Sequence, residues 1–309
     1  FTVTETGGST AVDESGTTDT FTVVLNAQPD SDVVLSITSS DTGEATVTSS
    51  LTFTSANWDT AQTVTVTGAD DDLIDGTVSS TITVSVNDAA SDNNFDAVAD
   101  QTVSVSTTDD DVAGFTVTET DGSTSVTEAG GTDTFTVVLN AQPDSDVVVA
   151  ITSSDNGEAS SNSPLTFTSS NWDTPQTVTV TGVDDFLIDG TIASDLVVAI
   201  VDASSDNNFD AVADQTVSVS TTDDDAAGFT VTETGGSTSV TEAGGTDTFT
   251  VVLNAQPDSN VVLSIASSDT GEATVTSTLT FTSANWDTAQ TVTVTGADDD
   301  LIDGTVSST

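Results

Sequence analysis

The chain has 309 residues, 51 of them Asp or Glu and none Lys, Arg or His, for a formal net charge of -51. No side-chain ion pair can form within it, and it lacks the cationic groups that nucleic-acid phosphate or an anionic membrane requires of a partner. With no cysteine either, disulfides and thiolate metal sites are excluded, so a metal must be held by oxygen, which points to a hard cation such as calcium and less well to magnesium.

Apolar residues make up 35% of the chain and alternate with polar ones at period two, as half-buried strands require and disorder does not. In chain order, FTVTET with its continuation to Val12, then TFTVVLNA, DVVLSIT, LTFTS, QTVTVTG, TITVSV and QTVSVST read as about seven strands rich in Thr and Val, and no segment reads as helix. Turn-forming stretches separate them: NAQPDSD, SSDTGEA, SANWDT, DDDLIDG and SDNNFDA. The alternation assigns Phe21, Val23, Leu25, Val34, Ile37, Phe53, Val64 and Val66 to inward faces. Trp58, just before a strand, reads as a residue capping the core.

FTVTET recurs at Phe1, Phe115 and Phe229, and NWDT at Trp58, Trp172 and Trp286, a period of 114 residues. That length exceeds the solenoid range and suits one domain per repeat. The expected organisation is all-β: tandem antiparallel Greek-key, Ig-like β-sandwiches over 1–114, 115–228 and a truncated 229–309, in a linear array. The start at Phe1 and the short apolar runs read as an internal fragment with no signal peptide or membrane span.

If each strand runs antiparallel to the one before, alternate connections fall on one end of the sandwich. These are the first-to-second, third-to-fourth and fifth-to-sixth connections and the exit after the seventh. They carry Glu14, Asp41, the group Asp70, Asp71 and Asp75, and the run Asp109, Asp110 and Asp111. Two carboxylates about 4 Å apart repel by roughly 4 kcal/mol at an effective dielectric near 20, so acids clustered this way call for a cation. Calcium, which takes about 6–8 oxygens at about 2.3–2.6 Å, fits the donor type.

Differences between copies sharpen the set. Asp13 becomes Thr127 and Thr241, while Glu14 persists as Glu128 and Glu242. Asp72 becomes Phe186, so its side chain reads as a solvated spectator. At the opposite end, Asp92, Asp96 and Asp100 include a DxNxD spacing like that of an oxygen-ligand calcium loop, without the Gly and bidentate Glu of the EF-hand pattern, and metal binding there is left open.

Together, VDE or VTE near the start, TFTVVLNA, ITSSD, the LTFTSANWDTAQTVTVTGADD hairpin and the closing TTDDD resemble the Calx-β domain, over the whole chain. That family is a calcium-binding β-sandwich found in sodium/calcium exchangers, integrin β4 and many large bacterial surface proteins. The resemblance implies calcium ligands at Glu14, Asp41, Asp70, Asp71 and Asp109 to Asp111, with Asp75 standing where the family has Glu. It implies Glu128, Asp155, Asp184, Asp185, Asp189, Asp223, Asp224 and Asp225 in the second copy. In the third it implies Glu242, Asp269, Asp298, Asp299 and Asp303, with no terminal run.

The expected function is structural and non-enzymatic: an extracellular or cell-surface stalk or fibre, stiffened at its joints by calcium, whose partners are the neighbouring repeats. Each repeat would add roughly 40 Å at about 3.3 Å per strand residue. The alternatives are an adhesive face built on outward Thr ladders such as Thr63, Thr65 and Thr67, and lateral assembly into filaments through unprotected edge strands. Paired carboxylates also serve glycoside hydrolysis, but no His, Cys, Lys, Arg or Tyr is present to orient a substrate, which argues against catalysis.

Overall fold

The computed structural model describes residues 1–298 and 304–309. In the first repeat the Thr/Val alternation yields β1 (Thr2–Glu5), β2 (Thr10–Asp13), β3 (Thr18–Val24), β4 (Val33–Ser39), β5 (Ala45–Val47), β6 (Ser50–Phe53), β7 (Gln62–Gly68), β8 (Thr77–Val86) and β9 (Gln101–Thr108). They form two sheets, ordered β1-β3-β7-β5 and β2-β9-β8-β4-β6. Pairing is antiparallel except between β2 and β9, which run parallel. The second repeat reproduces both sheets over Phe115–Thr222.

The seven expected strands become nine because the first changes sheets partway and one further strand forms. The first breaks at Thr6–Gly8, where Gly7 at φ 77° turns the chain out of one sheet and into the other. Asp121 takes that place in the second repeat at φ 58°, a left-handed conformation that Asp tolerates better than most residues. The expected fourth strand is β6, and β5 is a further strand, in the other sheet, over Ala45–Val47 where no strand was expected.

Side chains from both sheets meet in a core containing Phe21, Val23, Leu25, Ile37, Phe53, Val64 and Val66. The expected inward position of Val34 is corrected. In β4 the buried residues are Val33, Leu35 and Ile37, and Val34 lies on the other face. Val34 and Ile37 are an odd number of residues apart, so a strand of period two cannot turn both inward. Trp58 packs partly buried against this core, and its carbonyl accepts the Leu25 N–H at 3.1 Å.

The third repeat keeps the sheet of Phe229–Glu233, Thr246–Leu253, Gln290–Gly296 and Ala273–Val275, but among the described residues its second sheet is the pair Val261–Ser264 and Thr278–Phe281. With less of a facing layer, Phe229 is 55% exposed where Phe115 is 3% exposed.

Successive repeats touch through the loop after β7 and, at the first junction, through the connector residue Ala113. The main-chain N–H of Gln142 donates to the Asp72 carbonyl at 2.7 Å, and Leu73 forms a parallel bridge with Gln142. Asn208 donates from Nδ2 to the Ile74 carbonyl at 3.2 Å, and Ile74 and Ala113 pack against the second repeat's core. At the next junction Gln256 N–H donates to the Phe186 carbonyl at 2.7 Å, and Leu187 bridges to Gln256.

Candidate metal centre

The loops at one end of each complete sandwich present carboxylates from four places in the sequence. Glu14 follows β2, and its N–H is tied to the Thr108 carbonyl of β9 at 3.1 Å. The end of β2 lies so close to the end of β7 that a Cβ on Gly68 would overlap the Asp13 carbonyl, and Gly182 meets Thr127 in the same way. Only glycine permits that approach, which sets Glu14 beside the loop that follows β7.

Two groups result in the first repeat: Glu14 with Asp71 and Asp111, and Glu14 with Glu44 and Asp75. Within each, every residue offers an oxygen within 4.8 Å of the others. The second repeat has Glu128 with Asp223 and Asp225, and Glu128 with Glu158 and Asp189. The buried glutamate belongs to both groups of its repeat, so the two carboxylate clusters adjoin and share one side chain.

Burial makes these acids unusual. Glu14 and Glu128 are each 1% exposed, and Glu44 and Glu158 are 5% and 6% exposed. Both carboxylate oxygens of Glu14, one each of Glu44, Glu128 and Glu158, and Oδ2 of Asp111 and Asp225 have no hydrogen-bond partner. Burial, reinforced by the charges of Asp71, Asp109, Asp75 and Glu44, pushes the Glu14 carboxyl up to about 7. Burial likewise raises Glu128 to about 7 and Asp111 to about 6, each with help from neighbouring carboxylates. Glu44, Asp75, Glu158, Asp189 and Asp225 move the same way for the same causes.

Other acids at this end shape the loops. Asp41 Oδ1 accepts the Gly43 N–H at 3.0 Å, and its carbonyl accepts the Ala45 N–H at 3.2 Å, which closes the turn that delivers Glu44. Asp71 Oδ1 accepts the Leu73 N–H at 2.8 Å. Asp109 receives the Gly76 N–H at 2.9 Å and the Asp111 N–H at 2.7 Å. The matching bonds from Gly190 and Asp225 hold Asp223 below the usual carboxylate range, so it stays ionised beside Glu128.

Of the sequence-derived set, the structure gathers Glu14, Asp71, Asp75 and Asp111, and in the second repeat Glu128, Asp189, Asp223 and Asp225. It leaves Asp41, Asp70, Asp109 and Asp110, and Asp155, Asp184, Asp185 and Asp224, outside those groups. Glu242, Asp269 and Asp298 form no such group among the described residues, and Asp299 and Asp303 lie outside the described residues. Glu44 and Glu158 are the additions. They sit in a stretch that reads as a turn, SSDTGEA or SSDNGEA, whose flanking Gly and Ala recur with the glutamate in all three copies, so residue type gave no signal that sets it apart.

At the opposite end Asp92 is buried and satisfied by the main chain. It accepts N–H bonds from Asp30 at 2.7 Å, Ser31 at 3.2 Å and Asn94 at 2.9 Å, which lower its pKa. Its role is to clasp the turn after β3 to the loop after β8.

The donor chemistry suits a hard cation. All donors are carboxylate oxygens, and two oxygens across one Ca²⁺ lie about 4.8 Å apart, so each trio spans a distance that a single ion bridges. No family model matches the chain, and no curated protein does. Among solved structures, the calcium binding domain CBD12 of CALX1.1 is similar at 15% identity, over 64% of this chain and 80% of that one, with a TM-score of 0.29. The apo-form Calx CBD1 domain is similar at 15% identity, over 36% of this chain and 98% of that one, with a TM-score of 0.27. Domains 1–6 of the surface layer protein SbsC are similar at 12% identity, over 85% of this chain and 29% of that one, with a TM-score of 0.30.

Proposed function

We propose that each complete repeat binds two calcium ions bridged by its buried glutamate, and that the chain is a non-enzymatic structural segment of an extracellular or cell-surface stalk or fibre. One ion is held by Glu14, Asp71 and Asp111, the other by Glu14, Glu44 and Asp75. Glu128, Glu158, Asp189, Asp223 and Asp225 serve the second repeat. The ions supply positive charge that the chain itself lacks. Remaining coordination positions fall to second carboxylate oxygens, main-chain carbonyls and water.

The observation that carries this reading is Glu14, buried to 1% exposure with neither oxygen partnered, in a chain with no basic side chain. Ionised and unpaired, such a group costs several kcal/mol, at roughly the level of other uncompensated buried charges. Asp71 and Asp75 also bracket Asp72–Ile74, the segment that touches the next repeat. Ions that fix the two aspartates hold that segment in its docked shape, which stiffens the joint.

Calcium titration of the chelator-stripped chain by calorimetry tests it. Two ions are expected for each complete repeat, with both of the first repeat's ions weakened by Glu14→Gln. Absence of binding at millimolar calcium, or binding indifferent to both Glu14→Gln and Glu128→Gln, overturns the assignment.

A further inference from the structure

At both junctions a main-chain carbonyl of one repeat's loop accepts the glutamine N–H of the next repeat's turn, and in the first repeat that turn is exposed. The receiving turn has the sequence LNAQPD three times, at residues 25–30, 139–144 and 253–258. In the second and third copies the Gln142 and Gln256 N–H groups are bonded to the preceding repeat, and Ala141 and Ala255 are buried to 0% and 6% exposure. In the first copy Ala27 and Gln28 are exposed. There a hollow of about 620 Å³ is lined by Phe1, Ala27, Gln28, Asn94, Phe95 and Val98. Its residues are the counterparts, one period back, of Ala141, Gln142, Asn208 and Phe209, where Asp72, Leu73 and Ile74 dock.

We propose that this face of the first repeat is a docking socket for another copy of the repeat, which enters it with the Asp-Leu-Ile loop between its β7 and β8. The occupant is specified by what meets the same turn twice in this molecule, the loop that follows the preceding repeat's seventh strand. At the first junction two main-chain carbonyls of the loop meet a turn N–H and an Asn side-chain amide, and Ile74 packs against the second repeat's core; at the second junction the Phe186 carbonyl meets the turn N–H and Leu187 bridges to Gln256. The carbonyl contacts are blind to the first side chain of the loop, so both Asp72 and Phe186 are accommodated. Such a contact joins unlike ends of two repeats and propagates without closing, which is the geometry of a filament. Its hydrogen bonds use no side-chain carboxylate, although the ions proposed above would shape the loop that makes them.

Hydrogen exchange of the three turns tests it directly, because their identical local sequence gives the three glutamine amides the same intrinsic rate. In the 309-residue chain Gln142 and Gln256 are expected to exchange at least tenfold more slowly than Gln28. When a further copy of residues 1–114 is joined ahead of Phe1, Gln28 is expected to slow to the rate of Gln142. Ile74→Asp in the added copy, or the milder Ile74→Ala should the first disturb that copy's core amides, is expected to return Gln28 to its fast rate. A Gln28 amide that stays fast behind the added copy overturns the proposal, as does protection that survives both substitutions. Calorimetry on the same samples counts ions independently, so the two readings fail separately.

Discussion

Phe186 in the second repeat and Trp286 in the third place their ring centroids 5.3 Å apart with their planes inclined at 48°. Aromatic pairs in this range contribute about 0.5–1.5 kcal/mol beyond the area they bury. The first junction has no such pair, because Asp72 stands where the second has Phe186. Phe186→Asp is therefore expected to weaken the second junction by about 1 kcal/mol. Exchange at Gln256 should accelerate while Gln142 is unchanged, and the emission of Trp286 should move to longer wavelength.

Glu14→Gln is expected to act in opposite directions with and without ions. Raising a carboxyl from 4.5 to about 7 corresponds to roughly 3 kcal/mol of disfavoured ionisation, so removing the charge stabilises the ion-free chain by about 1 kcal/mol after the amide's own desolvation. In calcium the same change removes the ligand proposed to bridge the two ions and is expected to lower the melting temperature. Paired thermal melts in chelator and in excess calcium measure both effects.

The ion-free protein should lose stability as pH rises from about 4.5 to about 7. Glu14, Glu128 and Asp111 have folded-state pKa values above their unfolded ones, so across that window the folded state holds more protons and deprotonation favours unfolding. Calcium competes with those protons, so its affinity should climb over the same window and level off above it. Melts in chelator and calcium titrations at stepped pH read the two trends, and stability that increased with pH in chelator would contradict the buried, unpaired state.

Asp92→Ala is expected to destabilise the first repeat by about 2–3 kcal/mol by leaving the Asp30, Ser31 and Asn94 N–H groups without their charged acceptor. Its depressed pKa gives a contribution present above about 3.8 and lost as pH falls below it. The calcium stoichiometry should be unchanged, which separates this clasp from the metal centre.

Gly68→Ala should damage both fold and site, since the added methyl overlaps the Asp13 carbonyl that precedes Glu14. A loss of about 2 kcal/mol or more is expected, with weaker calcium binding in the first repeat alone, and Gly182→Ala should do the same in the second.

Strand positions were legible because Thr and Val alternate so regularly that each inward face can be read from period alone, as in Val64 and Val66. Val34 was misread where three apolar residues, Val33, Val34 and Leu35, stand together and period gives no choice of face. The gathering of Glu14, Asp71, Asp75 and Asp111 followed from counting strand reversals. Glu44 did not, because a glutamate inside SSDTGEA looks like turn chemistry until β5 is seen to begin at the next residue and draw it inward. Asp72 shows a different limit. Its side chain is indeed exposed, but its carbonyl makes the contact with Gln142, and main-chain chemistry leaves no trace in residue type.

Because every joint is made by the same loop meeting the same turn one period later, a gene that gains or drops a whole 114-residue unit keeps all of its remaining joints intact. The number of repeats can then be adjusted by recombination between near-identical stretches, with no fresh surface to evolve.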